Sequence, residues 1–261
     1  MLALRIFVYA VVVLMILPVA ISLPVALTAT RGIRFPPEGL TLGWFIAVFG
    51  DGILLQSILR SFILALVAGI VAVAIAVPCC FAIERGLVRG RNLLETVITG
   101  PRMIPQLVIA LALLIWYERL GIAETFFGLV LAHLVVSIPF AFRTVLVSVA
   151  SVDRRLEWSS AILGAGPATT FRRIIMPQIK TGLIAAFIFT FILSFNNVTM
   201  ALFLSGIGQR TLPVEMFTRM YVGGMTPVIP AISFLLALVG VVAFIILDRT
   251  IGVYRFLAGR D

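Results

Sequence analysis

Long uninterrupted runs of apolar residues dominate the pattern of hydrophobic and polar positions along this chain. The runs are continuous rather than alternating, which favours helices over strands. Each holds about the 20 residues that an α-helix needs to cross a bilayer core, where only helices or closed barrels satisfy their backbone hydrogen bonds. The sequence therefore predicts an all-α, polytopic membrane protein of about six transmembrane helices, forming a single domain over 1–261. The predicted spans are 6–30, 61–83, 93–117, 125–147, 183–204 and 228–248.

The longest polar interruption, at about 151–180, predicts two short helices joined by a tight turn. Gly164 can adopt the left-handed conformation that ends a helix, and Pro167 suits the first turn of the next one. The second helix is expected to end at Pro177. A short, mostly polar hairpin between two spans cannot cross the bilayer, so it is a candidate docking element for a soluble partner. Four residues of its first helix recur at helical spacing: Leu156, Ser159, Ser160 and Leu163.

Composition agrees with a membrane protein, since 62% of the residues are hydrophobic and 12% are charged, against about 25% charged residues in soluble domains. The net charge is +9, which in a soluble domain would suggest nucleic acid. Here the basic residues flank apolar runs and no aromatic side chains are interleaved with them. Topology and anionic lipid headgroups explain the charge more simply, and no nucleic-acid partner is expected.

The distribution of the basic residues predicts that both termini lie in the cytosol, because cytoplasmic loops carry the excess of Arg and Lys. With this orientation the polar hairpin is also cytosolic, and Arg102 falls inside the third span. The inner side holds Arg5, Arg85, Arg89, Arg91, Arg143, Arg154, Arg155, Arg172, Arg173, Lys180, Arg249, Arg255 and Arg260. The outer side holds Arg31, Arg34, Arg60, Arg119, Arg210 and Arg219.

Catalytic and cofactor motifs are missing from the sequence, which argues against an enzyme. It contains no HExxH zinc motif, no nucleophile elbow and no GxxxxGK[ST] phosphate loop, so an ATPase site of the P-loop type is excluded. The single histidine, His133, is expected to make a hydrogen bond between helices. The adjacent Cys79 and Cys80 are expected to pack as apolar side chains, because neighbouring cysteines rarely form an unstrained disulfide. No cofactor or metal is predicted.

Polar residues within the spans are costly and tend to line a transport path or a helix contact. Asn196 and Asn197 lie midway along the fifth apolar run, where both roles are open. Glu95 and Arg102 are seven residues apart in the third run and would share a helix face, although Pro101 interrupts it. They could pair with each other, pair with another subunit, or lie at the inner end.

Two aromatic residues, Trp116 and Tyr117, end the third span on its predicted outer side. An aromatic belt at the lipid–water boundary is the ordinary explanation for such a pair. Contact with a transported solute is the alternative, so both residues are candidates for the translocation path.

The hairpin resembles the "EAA" loop of permease subunits of ATP-binding-cassette (ABC) importers. That pattern is Glu-Ala-Ala, three residues, Gly, and then an Ile and a Pro, with the Pro thirteen residues after the Gly. Gly164, Ile174 and Pro177 stand at the expected spacing, and Ala165 follows the glycine. Trp158-Ser159-Ser160 occupies the place of Glu-Ala-Ala, and Glu157 stands one position early. The chain is most similar to the shorter permease of spermidine/putrescine-type importers.

The resemblance implies a subunit of the bacterial inner membrane that forms half of a translocation pathway for a small solute. It further implies separate ATPase subunits, a second permease, for which the resemblance favours a non-identical chain, and a periplasmic or lipid-anchored solute-binding protein. The segment 156–177, which includes Leu156 and Glu157, would contact the ATPase. Polyamines, opines and related organic amines or amino-acid derivatives fit the family. The rival hypotheses are a stand-alone secondary carrier, which would need acidic coupling residues deep in the spans, and a membrane-embedded enzyme.

Overall fold

The computed structural model describes residues 1–33, 35–206 and 208–251. Arg34, Arg255 and Arg260, which entered the topology argument, lie outside these ranges. In the described ranges all regular secondary structure is helical. The α-helices are α1 Leu2–Ala26, α2 Gly43–Gly50, α3 Gly52–Glu84, α4 Arg91–Thr99, α5 Gln106–Leu120, α6 Phe126–Ala150, α7 Arg154–Ile162, α8 Pro167–Thr170, α9 Met176–Phe195, α10 Val198–Leu204, α11 Leu212–Tyr221 and α12 Val228–Ile251.

Five helical segments of the described chain are long and apolar enough to cross a membrane, and a sixth is formed if one sharply bent pair counts as a span. The expected all-helical polytopic fold is confirmed. The five segments are Leu4–Ala26, Gly52–Glu84, Phe126–Ala150, Pro167–Phe195 and Val228–Ile246.

The chain divides into two compact units, and the first comprises Met1–Ser57 and Glu215–Thr250. Within it, the indole Nε1 of Trp44 donates a 2.8 Å hydrogen bond to the Thr28 carbonyl. Phe45 packs edge-on against Phe234, with 6.3 Å between ring centroids. Most apolar side chains of α1 remain exposed, as expected for a helix whose surroundings are lipid rather than protein.

The second unit contains Ile58–Val214 and is built around α6. This helix is the most buried of the spanning segments, and it packs chiefly against α9. A 2.8 Å hydrogen bond joins Nδ1 of His133 on α6 to Oγ of Ser194 on α9. The predicted interhelical hydrogen bond of His133 is therefore confirmed. Cys80 is fully buried in the same core, in keeping with its expected packing role.

The third predicted span, 93–117, is not one straight helix. The segments Arg91–Met103 and Gln106–Leu120 meet at a bend of 99°. Pro101 and Pro105 lie at the break and lack the N–H groups that a continuous helix requires. Beyond the bend, α5 has 15 residues and is about 22 Å long. The predicted limits 93–117 include both arms of the bend, because hydropathy does not show a change of helix direction.

The fifth span also differs from its predicted limits of 183–204. Its helical segment begins at Pro167 and ends at Phe195, so the second helix of the hairpin does not end at Pro177. The five residues Phe171–Ile175 form a π-helical turn before α9. Such a turn shifts the hydrogen-bond register and lets the helix pass a proline that would otherwise break it.

Candidate functional site

The hairpin between α6 and α9 begins at a side-chain cap and ends its first helix in a complete Schellman turn. The Asp153 carboxylate accepts a 2.9 Å hydrogen bond from the Arg155 N–H at the start of α7. At the other end Gly164 adopts φ = +80°. The N–H of Gly164 donates to the Ala161 carbonyl, and that of Ala165 donates to the Ser160 carbonyl. These two bonds satisfy two of the carbonyls that lack intrahelical partners at the helix end, and the turn predicted at Gly164 is observed.

A pair of buried hydroxyls closes the hairpin. Ser160 Oγ lies 2.8 Å from Thr170 Oγ1, and both side chains are buried. Because Ser160 faces α8, it does not share the solvent face of α7. Its neighbour Ser159 is exposed. The two serines in the place of the Ala-Ala pair therefore have different roles.

Ionic and aromatic contacts attach α7 to the C-terminal end of α3. The Arg85 guanidinium pairs with the Glu157 carboxylate, and it also lies 5.5 Å from the ring centroid of Phe81. Phe81 packs edge-on against Phe171 of the π turn at 5.7 Å. In addition, the Arg154 guanidinium donates to the carbonyl of Glu84, the last residue of α3. The hairpin is thus held on the end of α3 by contacts from α7 and from the π turn.

The opposite face of α7 presents apolar side chains to solvent. Trp158 is 65% exposed, and Ile162 and Leu163 are each 86% exposed. Leu156 is also exposed, at 43%. Large apolar side chains grouped on one face of a short helix mark an interaction surface. We call Trp158, Ile162 and Leu163 the apolar face of α7.

A groove of about 760 Å³ separates the hairpin from the end of α3, and its lining is mainly apolar. The α3 side contributes Phe81 and Ala82, and the hairpin contributes Ala161 and Ala165. Of the two remaining motif residues, Ile174 is half-buried within the π turn, and Pro177 is exposed at the start of α9. Both lie on the helix that continues into the span.

The two asparagines of the fifth apolar run lie at the junction between α9 and α10. Asn196 is the C-terminal cap of α9 and is exposed, with its side-chain amide donating to the Ile192 carbonyl at 3.1 Å. Asn197 is buried, and its side-chain oxygen accepts a 3.0 Å hydrogen bond from the Met200 N–H. Asn197 therefore serves as the N-cap of α10, a role that its residue type could have indicated.

Glu95 and Arg102 do not pair with each other. Glu95 lies on α4, where Arg91 Nε donates a 2.7 Å hydrogen bond to its carboxylate; Arg143 lies 3.9 Å from the same side chain. Arg102 lies in the turn at the bend, with its guanidinium 4.4 Å from the Phe140 ring centroid. Both residues lie on the arm that precedes the bend, but the change from α4 to the 3₁₀ turn Gly100–Met103 ends the α-helical register in which they would share one face.

Trp116 and Tyr117 also have different environments. Trp116 is 65% exposed, whereas Tyr117 is buried, and its ring lies 3.3 Å from the position that a Cβ at Gly128 of α6 would take. Tyr117 is therefore a core residue of the second unit. Trp116 has the exposure that either a lipid-facing or a path-facing residue requires.

An ion-pair cluster in the first unit was not predicted from the sequence. Arg219 of α11 donates at 2.8 Å to Glu215 and at 2.7 Å to Asp51, which precedes α3. The hydrogen bond from Arg219 holds the pKa of Asp51 below its ordinary value, and the bond from the Leu54 N–H acts in the same direction against desolvation. The pairing of Glu215 with Arg219 could have been predicted from their i, i+4 spacing on one helix. The contact of Arg219 with Asp51 could not, because the two residues are far apart in the sequence.

Within the part of the chain that the structure describes, no group of three or more His, Cys, Asp or Glu side chains could hold a metal ion. The two cysteines are free thiols.

Comparison with known proteins identifies the family of the chain. The family described as "Binding-protein-dependent transport system inner membrane component" matches residues 39–252. The spermidine/putrescine transport system permease protein PotC of Escherichia coli K12 is 26% identical over 240 residues, covering 92% of this chain and 90% of that protein. A probable molybdenum ABC transporter permease protein of Haloferax volcanii is 29% identical over 209 residues, covering 77% and 76%.

Among solved structures, a bacterial ABC transporter involved in the import of the acidic polysaccharide alginate superposes with a TM-score of 0.74. The match covers 95% of both chains at 13% sequence identity, so it supports the fold alone. The family match extends over most of the chain, from before α2 to the end of α12. The chain therefore belongs to the family of inner membrane components of binding-protein-dependent transport systems, the permease subunits of ABC importers.

Proposed function

We propose that this chain forms half of the translocation pathway of a bacterial ABC importer, and that α7 couples it to a separate ATPase. The observation that carries the proposal is the apolar face of α7. It is exposed to solvent although the helix is fixed on its other side by Ser160 and Glu157. A rigidly held helix with an unburied apolar face fits a complementary groove on another protein at low entropic cost.

In this proposal both termini and the hairpin lie in the cytosol, and a solute-binding protein delivers the substrate on the opposite side. A second, non-identical permease supplies the other half of the pathway. ATP-driven closure of the ATPase moves α7 and tilts the attached spans between inward- and outward-open states, as expected for a bistable bundle biased by differential contacts. Hydrolysis takes place on the ATPase and not on this chain.

For the substrate we propose a polyamine or a related organic amine, on the basis of similarity to PotC. Uptake of labelled spermidine by cells that express the complete system tests this assignment, with excess putrescine or molybdate as competitor. Competition by putrescine supports the proposal. Competition by molybdate, or uptake without a polyamine preference, contradicts it.

Co-purification tests the coupling site. Gly164→Arg puts bulk and charge at the turn beside the docking face, and Trp158→Ala truncates that face. Both variants should insert normally, lose the ATPase subunit in mild detergent and abolish uptake. Trp116→Ala is a matched control, because Trp116 has the same 65% exposure but lies on α5; it should retain the ATPase. Normal retention by Gly164→Arg and Trp158→Ala would exclude α7 as the docking element.

A further inference from the structure

Glu157 is directed away from the apolar face of α7. Its side chain is 19% exposed, and that of its partner Arg85 is 8% exposed. Successive residues of a helix point about 100° apart, which explains why Glu157 turns inward while Trp158 turns outward. The Glu157 carboxylate, which stands one position early in the motif, therefore makes its ion pair within this chain, with Arg85. Glu157 is also the only acid within the nine residues of α7, so the docking face carries no carboxylate from that helix.

The contacts between α7 and the end of α3 run in both directions. Arg85, just beyond α3, reaches the Glu157 carboxylate, and Arg154 of α7 reaches the Glu84 carbonyl. The last carbonyls of a helix lack intrahelical partners, so Arg154 satisfies one of them. Two such contacts at one end of a short helix oppose its rotation about its own axis.

The Arg85–Glu157 pair also resists separation because both groups are largely withdrawn from water. Separating a desolvated ion pair leaves each charge without compensation, and this is more costly than breaking a surface pair. The cation–π contact of Arg85 with Phe81, and the edge-on packing of Phe81 against Phe171, extend the contact to the π turn before α9. These contacts connect α7 to α3 and to the turn that leads into α9.

We propose that the Arg85–Glu157 pair is a positioning pair that transmits movement of α7 to α3, while α7 itself docks through the apolar face of Trp158, Ile162 and Leu163. This inference rests on the proposed function and assigns separate roles to adjacent residues of one motif. Glu157 supports coupling without contacting the ATPase, and Trp158 contacts the ATPase.

The assembled importer in liposomes tests the assignment through two readouts, namely retention of the ATPase subunit and the number of ATP molecules hydrolysed per solute transported. Glu157→Gln and Arg85→Gln should retain the ATPase, while uptake falls at least about tenfold and hydrolysis continues, because the unpaired buried charge weakens the contact. The charge-swapped double variant Arg85→Glu with Glu157→Arg should recover most of the uptake. Arg89→Gln is the matched control, since it removes the same charge from an exposed position four residues away, and it should behave as wild type.

Loss of the ATPase subunit from Glu157→Gln without rescue by the swap would show that Glu157 contacts the ATPase directly, which overturns the inference. Full coupling in Glu157→Gln would overturn it as well. If the swapped variant fails to insert, Arg85→Lys decides: retained charge without the guanidinium's contact with the Phe81 ring should give partial coupling, and wild-type or absent coupling contradicts the proposal. Failure of the proposed function itself is distinct, because the wild-type chain would then retain no ATPase.

Discussion

Ser159 and Ser160 carry the same side chain, yet only Ser160 closes the hairpin. Ser160→Ala should destabilise the hairpin by about 1 kcal/mol, because it deletes the hydroxyl that bonds to Thr170. Hydrogen exchange of the α7 amides should accelerate accordingly. Ser159→Ala is the matched control and should leave exchange unchanged. Equal effects of the two substitutions would show that the hydroxyl pair does not stabilise the hairpin.

Gly164 and Gly166 provide a second matched comparison. An added Cβ would meet no atom within 4 Å at either position, but only Gly164 of the two has a left-handed φ. Gly164→Ala should therefore cost about 1 kcal/mol through backbone strain, and Gly166→Ala should cost about 0.5 kcal/mol, because alanine is a poorer N-cap than glycine. The check is the exchange rate of the Gly164 and Ala165 amides, which form the Schellman turn. Indistinguishable rates in the two variants would refute the strain argument.

For single residues, the sequence predicts a conformation where that conformation depends on the residue type and its neighbours along the chain. Gly164 was predictable because few other residues adopt its backbone angles. Arg85 was not, because its partner Glu157 lies 72 positions away and no local pattern joins them. Tyr117 was taken for an interfacial or path residue for the same reason, since its burial depends on packing against α6.

At the scale of the element, Asn197 defines where the fifth span stops and α10 begins. Asn197→Ala should destabilise this junction by about 1 kcal/mol, whereas Asn197→Ser should retain most of the cap. Thermal unfolding in detergent and transport kinetics separate the two roles of this residue. A capping role predicts that serine restores both stability and uptake. A lowered affinity for solute at unchanged stability would instead place Asn197 in the translocation path.

The contact between α11 and the start of α3 should depend on pH through Asp51. Its pKa is lowered in the fold, so its contribution is complete above the ordinary value of 3.8 and is lost as the pH falls through the lowered value. Exchange of the α11 amides should therefore be constant from pH 5 to 8, after correction for intrinsic rates, and rise below about pH 4. Asp51→Asn should produce the faster exchange already at neutral pH. It should lower the free energy of opening this contact by at most about 1 kcal/mol, because the ion pair is partly solvated. The Trp44–Thr28 contact is the internal control; a transition near neutral pH would contradict the assignment.

Elements with a strong local signal were predicted well, and elements shaped by proline were not. The apolar runs identify the long helices because a bilayer core requires some 20 apolar residues whatever the fold. They do not reveal the 99° bend before α5, since hydropathy carries no direction. Pro105 breaks a helix, whereas Pro177 follows a π turn and continues one. The hydrogen-bond register of the helical turn before each proline decides between these outcomes, and this register cannot be predicted from the sequence.

At the scale of the whole molecule, the orientation in the membrane is the prediction with the widest consequences. The excess of basic residues predicts that Ser159→Cys is labelled by an impermeant thiol reagent only from the cytosol, and Gln209→Cys only from outside. Both positions are exposed, so labelling reports sidedness rather than burial. The wild-type chain is the baseline, because Cys80 is buried and Cys79 is half-buried within α3. Reversed labelling of the pair would invert the topology and remove the hairpin from the ATPase side.

The π turn at Phe171–Ile175 fixes the rotational phase of the fifth span relative to the hairpin. Each residue added to or removed from a helix rotates everything beyond it by about 100°, and a π turn accommodates one residue more than an α-helical turn does. Shortening this turn by one residue would leave the hairpin in place but swing Ser194 away from His133. A rotation of about 100° would turn part of the protein-facing side of α9 toward the lipid. The number of residues between the docking element and the membrane is therefore as constrained as their identity.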